Sequence, residues 1–147
     1  MNAVLEAKKI NSMADVEIGH ILCSSWGYGQ TNINYYKVIK KTAAMVEIRA
    51  IGQKLVERDS SMSEYVVADA DNELFNSAWF SREEAVAKGY EIVREYVEGD
   101  KASVYARFAA ISRHKAQFSN GKLYVRINSF SSASSWDGEK DFQSHWN

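Results

Sequence analysis

In "MVEIRAIGQKLVE" the apolar positions Val46, Ile48 and Ala50 alternate with the charged Glu47 and Arg49. Side chains of an extended chain point alternately to opposite sides, so the segment reads as a half-buried antiparallel strand. "VEIGHILCSSW" is β-rich and apolar, with Gly19 marking a bulge, and "INYYKVIKKT" and "SEYVVAD" continue the pattern to about residue 68. Towards the other end, "ISRHKAQF" and "KLYVRINSF" flank "SNG", where Asn120-Gly121 suits a tight hairpin turn because both residues accept positive φ. Leu123, Val125 and Ile127 then face one way, and Tyr124, Arg126 and Asn128 the other.

The period changes in the middle of the chain. In "SREEAVAKGYEIVREYVEGD", Val86, Tyr90, Val93 and Val97 recur at helical spacing, with Ala85, Gly89, Ile92 and Tyr96 widening the stripe. Ser81 followed by Glu84 forms a capping box, Gly99 suits the helix end, and Asp100 caps a second helix over about Lys101 to Ile111 with Val104, Phe108 and Ile111 on one side. The predicted fold is therefore α+β: a strongly bent antiparallel sheet or small β-barrel with an inserted pair of helices. The predicted organisation is one domain over 1–147, with a lead-in at 1–14, a β part at 16–68 and 112–131, a helical insertion at about 69–111 and a Ser/Trp tail at 132–147. The two β portions must join, since neither alone has strands enough to cover an apolar face.

A chain of 147 residues buries roughly 68–70% of the surface that its unfolded form exposes, so it needs no metal or disulfide staple. Cys23 is the one cysteine and lies in an apolar run, where a thiol behaves as a small buried hydrophobe in a reducing compartment. The N-terminus lacks the apolar core of a signal peptide, and no stretch approaches the roughly 18 apolar residues of a membrane span. The sequence therefore predicts a soluble, intracellular protein with no membrane partner. Its net charge of −1 is unevenly spread: +3 over residues 1–58, −8 over 59–100 and +4 over 101–147.

No motif commits the chain to a reaction. His20, His114 and His145 lack the spacing of a helical metal site, and "DADNE" at 69–73 lacks the glycine and distant glutamate of a calcium loop. A pairing of Cys23 with His114 or His145 has no activating context, and Gly27 and Gly29 open no helix that would cradle phosphate. The expectation is a non-enzymatic protein without metal or cofactor.

The turn "SSWGYGQTN" sets Trp26 and Tyr28 among glycines and small polar residues, and "SSWDG" sets Trp136 before another turn. Either the rings fold inward as a plug on one end of the barrel, or at least one stands exposed as a contact anchor. These segments carry a resemblance. "GHILCSSWGYGQTNINYYKVIKKT" with "MVEIRAI", and "GKLYVRINSF" with "SSWDG", resemble a family of small uncharacterised proteins of bacteriophages and other mobile elements that share an SSWGYxQTN segment and a late WDG segment. The likeness covers about half the chain, leaves about 69–110 outside it, and implies viral origin and action in the cytoplasm of an infected bacterial cell, with no catalytic residues.

Two functions follow as expectations. In the first, the chain binds and inhibits a host bacterial protein, a nucleic-acid-handling or anti-phage defence enzyme, through an acidic face of Glu84, Glu91, Glu95 and Glu98 or through Trp26, Tyr28 and Trp136. In the second, a small β-barrel binds single-stranded nucleic acid through Trp26, Tyr28, Tyr35, Tyr124, Lys37, Lys40, Lys122 and Arg126. Oligomeric state is left open by the sequence, although the Tyr-rich helix expected at 82–97 equally suits a dimer contact.

Overall fold

The computed structural model describes residues 8–27 and 30–145. The strands are β1 (Ile21–Trp26), β2 (Asn32–Lys41), β3 (Met45–Ser60), β4 (Ser63–Glu73) and β5 (Phe75–Phe80), followed by one helix, α1 (Arg82–Ala87). Then come β6 (Glu91–Glu98), β7 (Lys101–Ala109), β8 (Ile111–Lys115), β9 (Gln117–Ser119), β10 (Lys122–Arg126), β11 (Ser132–Ser135) and β12 (Asp141–Ser144). Among the described residues no helix is long and apolar enough to cross a membrane.

The chain is thus nearly all β, and the expected α+β fold with an inserted helix pair is overturned. Only the first turns of the expected helical segment are helical. The Ser81 hydroxyl caps α1 by accepting from the Glu84 N–H at 3.1 Å, and after six residues the chain turns away through Gly89 at φ 69°. Beyond that point a spacing of four residues is ambiguous, because it fits one face of a helix and also every second position of a strand. The intervening residues decide: Val104 and Ala106 are both buried, an alternation only a strand produces. Gly99 and Asp100 do not end one helix and start another. Glu98 pairs directly with Lys101 across them, and Gly99 at φ 61° supplies the positive φ of a two-residue hairpin turn.

The chain folds as two compact units, one taking in the described residues up to Asn72 and from Ile111 onward, the other Glu73–Ala110. In the larger unit the antiparallel strand order is β12-β4-β3-β2-β1-β11-β10-β9, with β8 also on β3. β2 takes one edge of β3, and β4 and β8 share the other. The sheet curls as a half-barrel, bringing β8 close to β10. Its two sides have separate cores. Leu22, Val38, Val46, Ile48, Leu123 and Val125 pack on one side, closed by Ile10 and Val16 of the N-terminal segment; Ile33, Tyr35, Ile51 and Val66 pack on the other.

The lead-in is more than a frayed end. The Ile10 N–H donates to the Gly121 carbonyl at 2.8 Å, and Asp15 Oδ2 accepts from the Asn11 and Ser12 N–H groups to hold a 3-10 turn at Met13–Asp15. The serine-rich tail is also structural: β11 lies between β1 and β10 with Ala133 buried. In the smaller unit β5-β7-β6 form a three-stranded antiparallel sheet, with Ala85 of α1 buried alongside Val104 and Ala106.

Candidate functional site

In the larger unit polar chemistry gathers on Asp141 at the start of β12. Its Oδ2 accepts from the Tyr35 hydroxyl at 2.5 Å, the Trp136 Nε1–H at 2.9 Å and the Cys23 thiol at 3.8 Å. Tyr35 also donates to the Val66 carbonyl at 3.2 Å, and its ring meets Trp136 edge to face at 5.4 Å. Burial, then the adjacent Asp141 charge, pushes the Cys23 thiol up to about 12 and raises Tyr35 well above the ordinary phenol range. Both groups stay protonated as donors, so the cluster contains no activated nucleophile. Among the described residues no three His, Cys, Asp or Glu side chains converge as metal ligands.

Beside this cluster is a depression of about 350 Å³ lined by Ser25, Tyr124, Ser132 and Ser134, and next to it one of about 640 Å³ reaching Lys8, Lys9 and His20. Lys122, Ser135, Trp136 and Asp137 border both. His20 Nε2 lies 2.7 Å from the Ser135 hydroxyl, and burial followed by the Lys8 charge lowers its pKa against the pull of Glu17.

The predicted site residues separate. Trp136 folds inward as just described, whereas Trp26 is 38% exposed and packs at 5.9 Å against the exposed Phe130. Tyr28 lies outside the described residues, as does Trp146. Of the nucleic-acid set, Tyr35 is 1% exposed with its hydroxyl committed to Asp141, so it offers no face for a base; this corrects its expected role. Lys37 donates to the Ala70 carbonyl, and Lys40 is exposed beyond a bulge in β2. Lys122, Tyr124 and Arg126 do share a face, at alternate positions of β10.

The acidic face is also corrected. Glu84 of α1 pairs with Lys88 just after the helix, while Glu91, Glu95 and Glu98 lie on a strand and divide between its two sides. Glu95 pairs with Arg82, and Glu91 lies 3.9 Å from Arg107. Asp59, Glu64, Asp69 and Asp71, four acids of the −8 block, belong to the larger unit.

The smaller unit instead presents rings and guanidinium groups. Cross-strand pairing aligns Ser77, Arg107 and Glu91 in one row and Trp79, Tyr105 and Arg94 in the next, all on the side opposite Val104 and Ala106. Trp79 is 48% exposed, with its ring 5.2 Å from that of Tyr105. The Arg94 guanidinium lies 5.0 Å from the Tyr105 centroid and 5.6 Å from the Trp79 centroid, and Arg107 lies 3.7 Å above Phe75. The available signal was "FNSAWF", a charge-free strand pattern with Phe75 and Trp79 two alternations apart.

Comparison with protein-family models, with curated proteins and with solved structures finds no significant match to this chain.

Proposed function

We propose that the chain is a non-enzymatic binding protein of bacteriophage or mobile-element origin that engages and inhibits a host protein in the bacterial cytoplasm, a nucleic-acid-handling or defence enzyme. Its docking surface is the Trp79–Tyr105–Arg94 face of Glu73–Ala110. The observation that carries this reading is the half-exposed Trp79 ring, already packed at a tilt of 48° against Tyr105 and within reach of a guanidinium. Tryptophan, tyrosine and arginine dominate binding hot spots, and prepacked side chains lose less freedom on association. The protonated, hydrogen-bonded Cys23 and Tyr35 support a role without covalent chemistry.

The test is affinity capture from infected cells with the full chain, followed by titration of the captured protein. Trp79→Ala should weaken binding by about 2 kcal/mol, roughly thirtyfold, while Glu84→Lys should leave it unchanged. Equal binding by wild type and Trp79→Ala removes the proposed surface.

The second reading, single-stranded nucleic acid, rests on β10, where Tyr124 sits between Lys122 and Arg126 on one face. A ring flanked by cations suits a base between two phosphates. Oligonucleotide titration at two salt concentrations checks it, with a salt-dependent signal that Tyr124→Ala reduces as the expected result.

A further inference from the structure

The strand order β5-β7-β6 leaves β6 at an edge, hydrogen-bonded to β7 on one side only among the described residues. Seven of its eight positions are exposed, including Tyr96 at 57% and Val97 at 63%. An open edge offers unpaired N–H and C=O groups to another strand, and natural proteins block such edges with charges and bulges. Here the bulge falls at Val93, between Ile92 and Arg94, and the five residues that follow keep regular register with β7 from Arg94 opposite Tyr105 to Glu98 opposite Lys101.

Within that stretch Arg94, Tyr96 and Glu98 point to one face and occur in the order cation, ring, anion. The order inverts when read backwards. We infer that β6 pairs antiparallel with β6 of a second copy, Tyr96 opposite Tyr96 and each Arg94 opposite the other copy's Glu98, joining two three-stranded sheets into one of six strands. A shift of one residue would turn every side chain to the wrong face. A shift of two would put Arg94 or Glu98 opposite Tyr96 and lose both ion pairs. The charges therefore select a single register and a single partner, the same strand of an identical chain. The other edge, β5, carries no charged residue and supplies no such code. The pairing would also set two Trp79–Tyr105–Arg94 surfaces side by side on one face, although it is independent of what those surfaces bind.

Sedimentation equilibrium of the full chain tests this. The wild type should be a dimer whose dissociation constant rises at least tenfold in Arg94→Glu and in Glu98→Arg, since each places like charges opposite one another. The double variant Arg94→Glu with Glu98→Arg should restore dimerisation to within a few-fold of wild type. Arg94 also packs on Tyr105 and Trp79, whereas Glu98→Arg alters an exposed position whose carboxylate accepts from the neighbouring Tyr96 hydroxyl at 3.4 Å, and it carries the test alone. Hydrogen exchange should show dimer-dependent protection of the amides at 94–98. A wild type that sediments as a monomer at millimolar concentration overturns the inference. So does a dimer indifferent to Glu98→Arg, or one that the double variant fails to restore.

Discussion

The Tyr35 hydroxyl donates to the Asp141 carboxylate at 2.5 Å across 106 residues of sequence, tying β2 to the start of β12. The same carboxylate oxygen accepts from Trp136 and Cys23, so one side chain satisfies three donors. Asp141→Asn keeps the shape but leaves the three donors a neutral amide oxygen in place of a charged carboxylate oxygen. It should destabilise the fold by ~1–3 kcal/mol, measured as a lowered denaturation midpoint with altered tryptophan emission.

Cys23 should resist alkylation in the native protein. With its pKa raised from 9.0 to about 12, the thiolate at neutral pH is about a thousandfold scarcer than for an unperturbed thiol. Labelling with iodoacetamide should therefore be slow, and it should become fast on unfolding.

Stability should fall on acidification because of His20. Its folded pKa is depressed, chiefly by burial, so the unfolded chain binds more protons wherever pH lies between the folded value and the ordinary histidine value. The stabilisation is full above that ordinary value and is lost as pH falls through the folded one. Denaturant titrations from about pH 7.5 down should show this loss, and His20→Asn should flatten the profile.

Gly27→Ala should be costly. The residue sits at φ 135°, a conformation reserved for glycine, and an added Cβ would overlap the Gln30 carbonyl oxygen. A loss of about 1–3 kcal/mol is expected in chemical denaturation. Gly138→Ala, with open space at its Cβ and only the positive φ to oppose it, should cost less.

Ser81→Ala should cost ~1 kcal/mol by removing the acceptor for the Glu84 N–H, read out as faster amide exchange across α1.

Much of the larger unit was legible because its strands alternate cleanly. Asn120-Gly121 is a hairpin turn with φ 53° and 73°, and Val46 and Ile48 are buried as their spacing demands. The smaller unit was misread where tertiary pairing chose between two periods that four-residue spacing leaves equal. β11 was hidden for another reason: "SASS" has no strand-forming composition, and its place follows from lying between two partners that hold its backbone. Asp141, the centre of the donor cluster, gave no local signal, because the groups that define it come from β1, β2 and the turn after β11. Arg94 and Tyr96 were visible as residues, but their lying on the same face as Glu91 depends on the bulge at Val93, which reverses the alternation along β6.

Asn72 lies against Gly52 of β3, and Ile111 returns opposite Arg49, three positions away, while the Ala110 N–H donates to the Leu74 carbonyl at 3.2 Å. Exit and re-entry are thus neighbours on one strand and are stapled together. A module attached in this way can be shortened, exchanged or deleted as a cassette while the host sheet keeps its hydrogen bonds.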